Sequence, residues 1–151
     1  MRFVLTVLLG GWLLLCPIRA WCWGFYAHER INELAVYLLP PGMQELYRTQ
    51  QDYLRRHATD PDKRRYAVPE EAPRHYIDLD RYGTYPFDSL PRNWDQAVIR
   101  YTEDSLQKHG IVPWWLEIMR NRLIKAFREK NITKILQTSA EIGHYLADAH
   151  V

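Results

Sequence analysis

Five prolines fall within residues 58–92 (Pro61, Pro69, Pro73, Pro86 and Pro91), and they constrain this chain more than any other feature. Proline lacks the N–H that a helix interior or a central strand needs, so this stretch reads as one long irregular connection. On both sides of it, apolar residues recur at helical spacing. Residues 27–39 place Ile31, Leu34, Ala35 and Leu38 on one helical face before Pro40, Pro41 and Gly42 stop the helix. Residues 41–57 form a second candidate, with Leu46, Tyr53 and Leu54 apolar. Asn93 suits the N-cap of a helix running to His109, where Gly110 ends it. A helix over residues 113–130 carries Trp114, Leu116, Ile118, Leu123, Ile124 and Phe127, and a last helix covers residues 132–148. No convincing strand pair interrupts this pattern. The expected class is all-α.

The first 22 residues carry a different signal. Arg2 precedes a 14-residue uncharged, mostly apolar run over residues 3–16. A spanning helix needs about 20 apolar residues, so the run suits a secretory leader better than an anchor. Cleavage after Ala20 and cleavage after Cys22 both fit. The second removes Arg2, Arg19 and both cysteines, leaving 18 basic against 18 acidic residues over residues 23–151. Such a mature chain is neutral and has no disulfide, thiolate metal site or catalytic cysteine. It is expected to be secreted or periplasmic, with no transmembrane segment once the leader is gone. The Asn131-Ile132-Thr133 sequon sits at a helix start, where capping explains it as well as a glycan does.

Three groups of residues can carry chemistry. His144 and Asp148 are four apart on the last helix and so share one face, a geometry that suits two ligands to one ion. The proline-rich connection supplies His57, Asp60 and Asp62, then His75, Asp78 and Asp80, beside a basic run of Lys63, Arg64 and Arg65 that can offset the carboxylates or hold an anion. The third group is Trp23 with His28. If cleavage exposes Trp23, its α-amine and carbonyl can bind a metal together, with His28 in reach.

In this order and spacing, the three groups resemble the superfamily of zinc-dependent phospholipases C and single-strand-specific zinc nucleases. The likeness rests on Trp23 with His28 five residues later, Asp60 with His75 fifteen residues later, and the His144-Tyr145-Leu146-Ala147-Asp148 helix. It implies a multi-helix fold with three zinc ions in a cleft. One zinc falls to Asp60, His75, His144 and Asp148. Its neighbour falls to the amine and carbonyl of Trp23, to His28 and to Asp148 as the bridge. The ligands of the third zinc follow the last helix, so residues 23–151 are expected to be the N-terminal part of a longer phosphodiesterase domain, truncated at its C-terminus and weakly active or inactive alone. Asp62 is an alternative to Asp60. The nuclease branch tends to carry Asp-x-x-Arg at this ligand, its Arg gripping phosphate; counted from Asp60 that position is Lys63, with Arg64 next.

The resemblance implies zinc-dependent hydrolysis of a phosphodiester, in which a hydroxide held between two zinc ions attacks phosphorus and Lys63 or Arg64 assists. Phospholipid and nucleic acid both remain substrates; a net charge of zero offers polynucleotide no basic footprint and leans toward phospholipid. Trp114 and Trp115 can meet lipid or stack on bases, although a core helix explains them better. No stable protein partner is implied. The alternative reading is a non-catalytic zinc-binding helical module or an inactive fragment.

Overall fold

The computed structural model describes residues 24–151; the leader expected over residues 1–22, and Trp23 with it, lie outside the described residues. Every regular element among the described residues is helical. In chain order these are α1 (Phe25–Ala35), extended by a 3-10 turn Val36–Leu38, then α2 (Pro41–Thr49), α3 (Gln51–His57), α4 (Asp60–Arg64), two 3-10 segments, Pro69–His75 and Leu79–Tyr82, α5 (Trp94–Tyr101), α6 (Glu103–His109), α7 (Val112–Arg128) and α8 (Ile132–Asp148). None of them is long and apolar enough to cross a membrane.

Two expected helices are broken. The helix over residues 41–57 divides at Gln50, and that over residues 93–109 divides at Thr102, whose φ of 66° no continuous helix accommodates. The Thr102 hydroxyl instead caps α6 by accepting from the Ser105 N–H at 3.4 Å. The proline-rich connection is less irregular than its composition implies, because Pro61 and Pro69 sit in first turns, where no N–H is required. Asn93 caps α5, and Asn131 caps α8 through the Lys134 N–H at 3.0 Å.

Three apolar clusters form the core. Val36, Tyr47, Leu54, Ala126, Ile135, Leu136 and Ala140 join α2, α3, α7 and α8. Tyr82, Ala97, Leu106, Ile111 and Trp114 hold the α5–α6 side, and Val112, Trp115, Met119 and Tyr145 link α7 to α8. Trp114 and Trp115 are both buried, as a core helix requires.

Helix α1 is oriented against its apolar pattern. Leu34 and Leu38 are exposed, whereas His28 and Asn32, one turn apart, are the residues α1 buries. The reason is polar. The Asn32 amide donates to the carbonyls of Ala140 at 2.9 Å and Leu54 at 3.3 Å, so one side chain clasps α1, α3 and α8. A buried amide left without these partners costs about 1–3 kcal/mol, enough to choose the helix face.

Gly143 permits the clasp. A Cβ at this position lies 2.1 Å from Asn32 Oδ1, and Asn32 is pinned at its other end. On an exposed helix, Gly→Ala stabilises by about 1 kcal/mol. Here the sign reverses: Gly143→Ala is expected to destabilise by about 1–3 kcal/mol, read as a lower urea midpoint at unchanged slope.

Candidate metal centre

The face that α1 turns inward meets α3 and α8. On that face the His28 ring stacks on His144 with centroids 4.0 Å apart. His75 comes from the middle of the connection, at the end of the 3-10 segment Pro69–His75, and backbone bonds fix it there. The Ile111 N–H donates to the Pro73 carbonyl at 2.7 Å, the Val112 N–H to the Tyr76 carbonyl at 3.2 Å, and the Asp78 N–H to the His109 carbonyl at 2.8 Å. Gly110 makes this seam possible. Its φ is 88°, and a Cβ there would stand 2.2 Å from the Tyr76 carbonyl oxygen.

Five side chains converge. His75 Nδ1 lies 2.8 Å from Asp148 Oδ2 and 3.1 Å from His144 Nε2. His144 Nε2 is 3.2 Å from the same Asp148 oxygen. Asp62 Oδ1 stands 3.8 Å from both His75 Nδ1 and His144 Nε2. The second oxygen of Asp148, Oδ1, faces His28 Nε2 at 3.3 Å. Two donor sets can therefore hold a metal ion: Asp62, His75 and His144, and His28, His144 and Asp148. His28, His75 and His144 are buried, while the two carboxylates remain partly open, so the cluster meets solvent on its acidic side.

Around these donors lies a charged shell. Glu71 is fully buried, held by Arg74 at 2.7 Å, by Arg64 at 3.4 Å and by the Tyr145 hydroxyl. Arg64 also donates to Glu141 at 2.9 Å and to Tyr145 at 3.1 Å. The Arg74 guanidinium lies 4.0 Å over the Trp115 ring, which fixes it on both sides.

The electrostatics follow from these contacts. Burial pushes the Asp148 carboxyl up, but hydrogen bonds to His144, His28 and His75 outweigh it and hold it well below the usual carboxylate range. Burial likewise opposes ionisation of Glu71, yet His75, Tyr145 and Arg64 bring it down to about 2. Burial lowers His75, and Asp148 and Glu71 more than offset this, so its imidazole is raised.

The residues singled out in the sequence divide here. His28, His75, His144 and Asp148 come together. Asp60 does not join them: it binds His57 at 2.6 Å and Lys63 at 3.1 Å. Residues two apart on a helix point to different sides, and on α4 it is Asp62 that faces inward. Lys63 is spent on Asp60 and Arg64 on the Glu71–Glu141–Tyr145 network. The cation beside the cluster is Arg65, whose Nη1 lies 3.7 Å from Asp62 Oδ1. It stands three residues after Asp62, the Asp-x-x-Arg spacing counted from the other aspartate. Glu71 was not anticipated, because nothing in the Glu70-Glu71 pair on a proline-rich segment marks one of the two as buried. His150 is exposed and turned back onto the Leu146 carbonyl.

No family model, curated protein or solved structure matches this chain.

Two measurements check this geometry. In zinc titrations against a competing chelator, Asp62→Asn is expected to weaken binding by more than the roughly 100-fold limit typical of outer-shell partners. Asp60→Asn is expected to leave binding within about 3-fold, since its carboxylate faces away from the donors. In metal-free protein, Glu71 titrates below its ordinary 4.5, so the stability it contributes is present above pH 4.5 and lost as pH falls toward about 2. Urea midpoints across that window should fall less steeply in Glu71→Gln than in the wild type, the remaining slope belonging to Asp148 and the other paired carboxylates.

Proposed function

We propose that this chain is a zinc-dependent phosphodiester hydrolase of the phospholipase C and single-strand nuclease kind. The observation that carries the reading is the division of labour in one carboxylate: Asp148 turns Oδ2 to His75 and His144 and Oδ1 to His28. A carboxylate aimed at two donor sets is what a pair of neighbouring ions requires.

Zinc suits the donors. Imidazole nitrogen and carboxylate oxygen are its ordinary ligands, and a tetrahedral ion with bonds of about 2.1 Å spaces them by about 3.4 Å. His75, His144 and Asp148 lie 2.8 to 3.2 Å from one another, and Asp62 lies 3.8 Å from both histidines. Asp62, His75, His144 and Asp148 would hold one ion, and His28 with Asp148 would contribute to the second, to which the Trp23 amine and carbonyl are assigned by the resemblance alone. When bound, zinc supplies Lewis acidity, neutralising charge on phosphoryl oxygens and making water acidic enough to yield a nucleophile near neutral pH.

The chain's own groups supply placement. The three imidazoles hold Asp148 ionised and oriented. The histidines form the buried side of the cluster, and the partly exposed carboxylates form the side from which a substrate would reach it. Arg65, half-exposed beside Asp62, is placed to grip a phosphate oxygen; this role passes to it from Lys63 and Arg64, whose charges are engaged elsewhere.

A second reading has one observation behind it. Four protein donors are the number found in a closed structural zinc site, so Asp62, His75, His144 and Asp148 also suit a non-catalytic helical module. Turnover separates the two. The full chain loaded with zinc is expected to hydrolyse bis(4-nitrophenyl) phosphate slowly, to lose this with a chelator, and to show a KM about 10-fold higher in Arg65→Ala, the value of one charge-assisted hydrogen bond. Zinc bound without turnover in a closed set of four protein donors, with no open coordination position, favours the structural module and overturns the hydrolase.

A further inference from the structure

Glu71 lies outside both donor sets and makes no use of its position in the function proposed so far. Its hydrogen bonds are unevenly divided. Oε2 accepts from two guanidinium groups, Arg74 at 2.7 Å and Arg64 at 3.4 Å. Oε1 accepts from the Tyr145 hydroxyl alone. A carboxylate offers two acceptor positions per oxygen, so Oε1 has one left. The group facing it is His75 Nε2, 3.7 Å away. That nitrogen is buried and has no hydrogen-bond partner.

The opposite nitrogen of the same ring, Nδ1, points at Asp148, His144 and Asp62. An imidazole that offers Nδ1 as an electron-pair donor must carry its proton on Nε2. A buried N–H with no acceptor is costly, and Glu71 Oε1 is the acceptor that its surroundings provide. The remaining gap exceeds an ordinary N–H···O bond by about 0.8 Å, which a small tilt of the ring closes.

We propose that Glu71 is the positioning residue of His75: its Oε1 accepts the Nε2 proton and so holds the ring in the tautomer that presents Nδ1 to a metal ion. The inference rests on the metal-binding reading above and adds to it a residue that touches neither ion nor substrate. Glu71 can serve because it is itself immobile. Arg74 is stacked on Trp115, Arg64 is tied to Glu141, and Tyr145 stands in the core, so three anchored donors fix the carboxylate before His75 meets it. Carboxylate–imidazole pairs of this sort orient metal-binding histidines and raise their basicity.

A glutamate present only to neutralise Arg64 and Arg74 would have no influence on the His75 tautomer, and this difference is measurable. In the zinc-loaded full chain, long-range 15N–1H NMR of the wild type is expected to show His75 metallated at Nδ1, with a downfield, slowly exchanging Nε2–H. The zinc dissociation constant is expected to rise roughly 10- to 100-fold in Glu71→Leu. Glu71→Gln, which keeps an oxygen acceptor but loses the charge, should fall between and retain the tautomer. The NMR readout uses wild-type protein, so it stands even if Glu71→Leu fails to fold. His75 metallated at Nε2, or a rapidly exchanging Nε2–H, overturns the proposal, as does unchanged zinc affinity in a folded Glu71→Leu. A wild-type chain that binds no zinc overturns the metal reading itself, and is distinguished by its failure before any variant is compared.

Discussion

One amide side chain determines how the three helices nearest the site are set. Asn32 donates to backbone carbonyls of both α3 and α8, and Gly143 lets it approach α8 without collision. Because Asn32 must face inward, so must His28 one turn earlier, and α1 leaves Leu34 and Leu38 in solvent as the consequence. The stack of His28 on His144 follows from the same approach. A helix packed by its apolar residues instead would present His28 elsewhere, and Asp148 would have nothing to address with its second oxygen.

The interior assembled in this way is expensive unless its charges are matched. Three buried imidazoles surround Asp148, and a fully buried Glu71 lies behind His75. Burial opposes ionisation of Asp148 and Glu71; the histidines offset it for Asp148, and the shell of Arg64, Arg74 and Tyr145 offsets it for Glu71. The His28, His75 and His144 rings retain nitrogen atoms without hydrogen-bond partners. They are the nitrogens opposite those that face the carboxylates, so a metal ion would engage the other nitrogen of each ring and leave these to partners behind the cluster.

Much of this was legible in the sequence, for reasons that can be named. Helical spacing and the absence of paired strands gave the all-helical class. His144 and Asp148 were readable as a pair because a helix places residues four apart on one face. His28 and His75 required the ordered resemblance, since neither has a local pattern. The loop aspartate went the other way: a fifteen-residue spacing to His75 favoured Asp60, whereas the short helix α4 turns Asp62 inward and Asp60 toward His57 and Lys63. Arg65, three residues after Asp62, was a sequence signal for this choice. The α1 face was misjudged because periodicity weighs apolar residues and not the hydrogen bonds an asparagine must satisfy. Glu71 was invisible for a related reason: its burial depends on Arg64, Arg74 and Tyr145, which the chain brings together only on folding.

The arrangement of Asp62, His75, His144 and Asp148 around one ion is most directly tested by anomalous diffraction at the zinc edge from crystals of the full chain grown with zinc. The expected result is a leading anomalous peak within about 2.0–2.3 Å of His75 Nδ1, His144 Nε2 and an oxygen of Asp148, with Asp62 completing the set. A leading peak beside His57 and Asp60, or a map with no peak among the three buried histidines, contradicts it.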